Sequence, residues 1–457
     1  MNTHAIASLK KLVLVALCVS IPVGACDFNI TNPNSPTQIG NNPTRAEVGA
    51  AVEGVIIDAR GTMGGWVLEG AILGREGYRF DPSEPRYVTE LLEGPLDPGS
   101  GFGGGQWGGE YTTIRSAYDL LNVLGTAQAL SPAEQNGARG VVQTFQALAF
   151  LRILYAHTED SIPIDVNRPV TAPLAPFVSN ATAWGHVVSL LDSAQAALLA
   201  AGGAFPFPLP PGFNGFNTPA TFLQFNRALM ARVQAYRGSQ GCSACYDSAL
   251  TALGASFVDS TQPMGLGVYF DFTTNSGDQT NPLAQNPTSA INLVHPSIRD
   301  SVELKPDSTP DNRYVARVTN RGSALSDAGH TSDLAWILYP TPVSSIPIIR
   351  NEELLLLRAE ANNGSAARNA AAAAADINTV RVNSGGLAPL AGLAALPADS
   401  IVGLLLRERK YSLLYEGGFR WIDMRRFNRL GDVLIDVPGD QVFSTLPINL
   451  QEIQARQ

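Results

Sequence analysis

The sequence predicts a mostly α-helical body, in which tetratricopeptide-like helix pairs form a scaffold that carries long loop-rich insertions and few short strands. Three observations support this. Apolar residues recur at three- and four-residue steps in several long segments. Two of these segments are helix-turn-helix units of about 34 residues, a tetratricopeptide length. Small residues, among them Ala228, Ala235, Ala249, Ala359, Ala361 and Ala373, stand where paired helices would approach closely.

At the start of the chain, Lys10-Lys11 precede the apolar run LVLVALCVSI, Leu12 to Ile21. Its length suits a signal peptide and is too short to cross a bilayer as a helix. Residues 1–25 are therefore expected to be an export signal. Val23-Gly24-Ala25-Cys26 follows the bacterial lipobox pattern, so Cys26 is expected to be lipidated and to become the mature N-terminus. Ordinary cleavage after Ala25 is the alternative. Acyl chains tether firmly because each buried methylene contributes about 0.8 kcal/mol. Asp27 to Thr44 is rich in Asn, Pro, Thr and Ser and reads as a flexible leash, so residues 26–44 form the tether and 45–457 one interleaved body.

The whole 457-residue chain is 45% apolar, ample for a large core, and its formal net charge is -9. It has no basic stripe of the kind that nucleic-acid phosphates require. Glu110 to Leu130 places Tyr111, Ile114, Tyr118, Leu121 and Leu124 on one helical face, and Ser131-Pro132 reads as the N-cap and first residue of the next helix. Trp184 to Ala201 is a further Ala/Leu helix. Thr221 to Ser256 and Asn351 to Gly386 are the two paired units, the second turning at Asn362-Asn363-Gly364. Between them, roughly Gly61 to Gly109, Ala204 to Ala220 and Ser256 to Pro347 read as long irregular segments. Their aromatic content makes them the expected binding surface.

Cys242 and Cys245 form a CxxC that allows a redox dithiol, half a zinc site or a local disulfide. With no second CxxC and no nearby histidine, and in an exported protein, a disulfide closing the helix-helix turn is the expectation. His157, His186, His295 and His330 lack metal-ligand spacing, so no metal is expected, and nothing points to a cofactor.

The segment RERKYSLLYEGGFRWIDMRR, Arg407 to Arg426, holds nine charged side chains in a chain that is 16% charged. As a helix running from Asp399 to Arg429 it buries Ile401, Leu404, Leu405, Tyr411, Leu414 and Tyr415 and stacks Glu416, Arg420 and Asp423 for pairing, with Gly417-Gly418 breaking it or allowing close backbone contact. Arginines outnumber acids here, which keeps the carboxylates ionised and makes them poor general acids. A structural ion-pair network is the expectation.

RNEELLLLRAEANN, AAADINTVRVNSGGL and IVGLLLRERKYSLLYEGGFRWIDMRRFNRL occur in this order. Together they resemble the C-terminal signature of the SusD/RagB family of outer-membrane nutrient-binding lipoproteins, about residues 330–457 here. Upstream, WGGEYTTIRSAYDLLNVL and ARGVVQTFQALAFLRILYAHTEDSIPIDV resemble the family's early helices and turn, although Thr158 to Pro163 lacks the usual glycine, and Gly418 is a second glycine within the signature. The resemblance implies a lipid-anchored protein at the cell exterior that binds glycans, or less often peptides. It also implies a SusC-like TonB-dependent transporter as partner and no enzymatic activity. A hydrolase using Glu90 with Glu93 or Asp81 with Glu84, and a helical scaffold for protein partners, are the alternatives.

Sugar rings stack their C–H faces on aromatic platforms while neighbouring polar groups bond the hydroxyls. The candidate ligand contacts are therefore Trp66, Tyr78, Arg79, Asp81 and Tyr87 in the first long loop, and Tyr269, Asp271, Phe272 and Asn275 in the third. Trp107, Tyr111 and Tyr118 lie on a helix and are expected in the core. DFTTNSGD, Asp271 to Asp278, is rich in oxygen donors but lacks calcium-loop spacing.

Overall fold

The computed structural model describes residues 39–157, 162–169 and 171–457. The expected signal, Cys26, most of the leash and Thr158 to Ser161 lie outside the described residues. The body spans Asn41–Gln457. It takes in the end of the expected leash, because the Asn41 carbonyl accepts from the Thr126 hydroxyl and the Asn42 side chain accepts from the Gln128 N–H at 3.0 Å.

The main helices are α1 (Arg45–Gly61), α2 (Met63–Leu73), α3 (Gly101–Leu124), α4 (Pro132–Ala156), α5 (Asn180–Leu199), α6 (Pro219–Ser239), α7 (Ser243–Gly254), α8 (Asn351–Gly364), α9 (Ala370–Asn383), α10 (Ala398–Ser412) and α11 (Phe419–Arg426). Their starts are written locally. Thr44 with Glu47 and Ser131 with Glu134 form reciprocal capping boxes, and Pro132 occupies the first turn of α4. Each such cap contributes about 1 kcal/mol. From α3 to α7 each helix packs on the next. After a long excursion α8 returns to pack on both α6 and α7, and α9 and α10 pack on α8. Leu355, Leu356, Ala359, Ala373, Ile377, Ile401 and Leu405 close that second part of the core. A disulfide joins Cys242 and Cys245 in the turn between α6 and α7.

The strands are β1 (Gly77–Arg79), β2 (Ile162–Pro163), β3 (Phe177–Val178), β4 (Gly267–Phe270), β5 (Asn292–Val294), β6 (Val318–Asp327), β7 (His330–Trp336) and β8 (Ile346–Arg350). β1-β5-β7-β6 form an antiparallel sheet in which Tyr78 faces Leu293 and Leu293 faces Ala335. β4 pairs with β8, and the register shifts between Val268 and Tyr269.

Three local expectations need correcting. Residues 63–73 are helix α2, not loop. The sequence MGGWVLEGAIL is buried nearly all round and so shows no polar face to betray its period. α8 continues through Asn362-Asn363-Gly364 and ends only at Ser365. The expected helix from Asp399 to Arg429 breaks into α10 and α11 at Leu413 to Gly418, where Gly418 has φ +66. α2 crosses this break so closely that a Cβ on Gly70 would lie 2.5 Å from the Gly418 Cα.

Candidate functional site

A cleft that takes in predicted ligand residues lies between α1 and the loop after β4, with a volume of ≈ 430 Å³. Glu53, Ile56, Ile57 and Arg60 recur at helical spacing, so α1 presents them along one face. Pro210 and Pro211 form one wall, and Thr273 to Asp278 form the opposite rim.

Arg60 holds the cleft together. Its buried guanidinium donates to the Asp271 carbonyl at 2.6 Å, pairs with the Asp278 carboxylate and lies 5.3 Å from the centre of the Phe272 ring. Partial burial works to raise the Asp278 carboxyl, but hydrogen bonds from Arg60, from the Gln279 N–H at 2.8 Å and from the Thr273 hydroxyl at 2.8 Å outweigh it and hold the group below the usual carboxylate range. The Asp271 carboxylate accepts from the Gly212 N–H and from the Ser345 hydroxyl at 3.0 Å, which ties the loop to the Pro210–Gly212 turn. Only glycine fits at 212, because a Cβ there would lie 2.1 Å from the Tyr269 carbonyl oxygen. Asn275 and Ser276 are exposed on the rim, above an aliphatic ledge where Ile57 is 42% exposed.

The nine predicted ligand residues separate into four groups. Asp271 and Asn275 line the cleft, Asp271 chiefly as a brace. Arg79, Asp81 and Tyr87 meet in a second, half-buried cluster. There the Arg79 guanidinium bonds Asp81 at 2.7 Å and lies 4.7 Å from the Tyr87 ring centre, and Tyr87 packs on Phe102. Tyr269 is half-buried, with its hydroxyl donating to the Gly265 carbonyl.

Trp66, Tyr78 and Phe272 are corrected to core positions. Trp66 is 2% exposed, donates its indole N–H to the Gly417 carbonyl at 2.9 Å and packs between Tyr155 and Trp421. Tyr78 is equally buried, stacks on Phe80 and donates to Asp436 at 2.8 Å. Phe272 is the floor beneath Arg60. The cleft residues missed in the sequence are Glu53, Ile57, Arg60 and Asp278. The available signal was Glu53, Ile57 and Arg60 at i, i+4 and i+7 on one helix.

The charged stretch forms buried pairs. Glu408 meets Arg313 and Arg381, both at 2.8 Å; Asp423 meets Arg409 at 2.7 Å and Arg426 at 2.9 Å; and Arg426 donates to Glu360 at 2.7 Å. Burial works to raise Asp423, but Arg409 and Arg426 overcome it and hold the carboxyl low. Nearby Glu352 is likewise brought down to about 2 against its desolvation, mainly by Arg350 and Arg317. The expected pairing of Glu416 with Arg420 is corrected. Glu416 lies within the break and bonds Arg317 at 2.8 Å and Arg350 at 2.9 Å. Among the described residues no cluster of His, Cys, Asp and Glu is placed to hold a metal.

Comparison with known proteins completes the site's context. Residues 343–451 match the sequence model of the SusD family. The fold is that of solved SusD superfamily proteins. One from Bacteroides vulgatus ATCC 8482 is 16% identical, with 90% of this chain and 97% of that chain aligned at a TM-score of 0.68. One from Parabacteroides distasonis ATCC 8503 is 15% identical over 90% and 98% of the two chains, also at 0.68. A laminarin binding SusD-like protein is 18% identical over 90% and 98%, at 0.59. No curated protein sequence matches the chain.

Proposed function

We propose that this chain, in which a SusD family segment at residues 343–451 sits on the SusD superfamily fold, is an outer-membrane lipoprotein facing the cell exterior. It binds a nutrient, most simply a glycan, and delivers it to a SusC-like TonB-dependent transporter. The observation that carries the proposal is the likeness along nine-tenths of the chain to SusD structures, one of them described as laminarin binding. Residues 1–25 serve as the export signal, Cys26 carries the lipid, and the leash that follows leads to the binding body, which begins at Asn41. Among the described residues no helix is long and apolar enough to cross a membrane.

Binding without hydrolysis suits the carboxylates of the first long segment. Asp81 is engaged by Arg79 and Ser83, Glu84 by Arg86, and Glu90 by the Ser100 hydroxyl and the Asp97 N–H. The cleft over α1 suits a sugar: its volume falls in the range of small-molecule sites, and Ile57, Pro210 and Pro211 offer an apolar ledge to C–H faces. Glu53, Thr273, Asn275 and Ser276 face the hydroxyls. A peptide is the second reading, because no Trp or Tyr lines this cleft.

Calorimetric titration with panels of polysaccharides and peptides, run in parallel on Asn275→Ala and Tyr87→Ala proteins, tests the assignment. We expect a glycan whose affinity falls about tenfold in Asn275→Ala, the effect of one lost hydrogen bond. A glycan weakened only by Tyr87→Ala would move the site to the Arg79 cluster, and peptide-only binding would select the second reading. Binding untouched by either substitution would sink both placements.

A further inference from the structure

A second pocket, of ≈ 260 Å³, opens between α10 and α11 and shares no lining residue with the cleft over α1. Arg407, Lys410, Arg420 and Arg429 line it, against one carboxylate, Asp432. Two of the four cations are answered. Arg407 pairs with Glu303 at 2.9 Å, and Arg429 pairs with Asp399 at 2.7 Å and reaches Asp432 at 4.0 Å. The other two are not. Lys410 donates to the neutral Ser301 hydroxyl at 2.8 Å and lies 5.4 Å from the Tyr411 ring centre, and the Arg420 guanidinium makes no hydrogen bond or ion pair with any described residue, although Glu76, Asp423 and Asp432 act on it through space.

The neighbouring groups respond to these two cations. Burial and then repulsion by Arg420 push the Lys410 ammonium down to about 8, so it stays largely charged at neutral pH but at a cost. Behind the two cations lies Glu76, whose buried carboxyl is pushed up to about 8, chiefly by desolvation. Desolvation thus weakens it as a counter-charge, against the pull of Arg420 and Lys410, which favour its ionised form. The pocket thus presents an ammonium and a guanidinium, neither of them in an ion pair with a described carboxylate, to a half-enclosed space whose one lining acid is Asp432, the arrangement that charge-assisted hydrogen bonds to an oxyanion require.

We infer that this pocket binds a small oxyanion between Lys410 and Arg420, either inorganic phosphate or the carboxylate of an acidic sugar. Because no residue is shared with the cleft, the inference stands or falls separately from the nutrient reading.

The test is titration of phosphate and of glucuronate into the full-length protein in detergent at constant ionic strength, with glucose as the neutral control. Two variants accompany it. Lys410→Met removes one cation. Gly403→Glu places a carboxylate at the mouth, where an added Cβ meets nothing within 4 Å and helix propensity improves, so folding is retained, as a melting curve verifies. We expect phosphate, glucuronate or both to bind and glucose not to, with affinity falling at least about tenfold in each variant. Glucuronate without phosphate identifies an acidic sugar, and phosphate binding identifies the free anion. Absence of binding by both anions at millimolar concentration, or binding unchanged in Gly403→Glu, overturns the inference.

Discussion

Replacing Glu360 with alanine tests what the charged C-terminal stretch does for the fold. Arg426 is buried beneath α8, with its side chain 1% exposed. It donates to Glu360 through both terminal nitrogens, to Asp423 through Nε at 2.9 Å and to the Ser239 hydroxyl at 3.1 Å, and it lies over the Tyr236 and Phe427 rings. With Arg409 the group is two guanidiniums and two carboxylates, electrically balanced in a low-dielectric space. Glu360→Ala leaves a net positive charge that water cannot reach, a change that costs about 3–5 kcal/mol. The solvent-facing Arg45–Glu134 pair, which water screens, should matter far less. Urea denaturation followed by circular dichroism measures the loss. A double variant, Glu360→Leu with Arg426→Met, leaves Asp423 balanced by Arg409 and should recover most of it. A loss below about 1 kcal/mol for Glu360→Ala, or a double variant less stable than the single, would refute the claim that the penalty resides in the uncompensated charge.

Two further outcomes follow from the same packing. Gly70→Ala drives a Cβ into the Gly418 backbone, and we expect a loss of about 1–3 kcal/mol in the same urea assay; wild-type stability would mean that the crossing of α2 over the break is not tight. Glu69 is buried beside Gln106, and desolvation pushes its carboxyl up to about 8. Its folded value lies above its unfolded one, so its contribution is complete below about pH 4.5 and is lost as pH rises toward 8. Glu69→Gln, which cannot ionise, should therefore match wild type near pH 4 and exceed it by on the order of 3 kcal/mol at pH 8. Equal differences at both pH values would show that the carboxyl is not titrating in this window.

What could be foreseen from sequence divides along physical lines. α4 was legible because its periodic face begins at Ser131-Pro132 with Glu134 in place to complete the cap, all within four residues. α2 was not, because its glycines and unbroken apolar character carry no amphipathic stripe, and its burial depends on α11, some 350 residues away. The same holds for the sheet. β1 finds its partner in β5 across more than two hundred residues, and strands of three residues leave no alternating pattern to read. Aromatic residues in a segment taken for loop were consequently assigned to the surface. Trp66 and Tyr78 show that an aromatic in a glycine-rich stretch marks a close backbone approach as readily as a platform.

The charged stretch shows how a correct general expectation can hide a local error with consequences. Composition rightly indicated ion pairs, since so many arginines and acids cannot be buried unpaired. Helical spacing then assigned Glu416 to Arg420, and that assignment fails because Tyr415, at φ +60, turns the chain just before Glu416 and Gly418, at φ +66, turns it again before Arg420. Glu416 is thereby delivered to Arg317 and Arg350, at the base of the β-strands, while Arg420 falls in the first turn of a new helix with its guanidinium paired to no described acid. The break that lets α2 cross at Gly70 is thus also what leaves a guanidinium open beside Lys410. A substitution that straightened this turn would be expected to remove the close crossing and the cationic pocket together. Measuring stability and anion binding on one such variant, Gly418→Ala, links the scaffold to the site: loss of stability with anion binding intact would separate them.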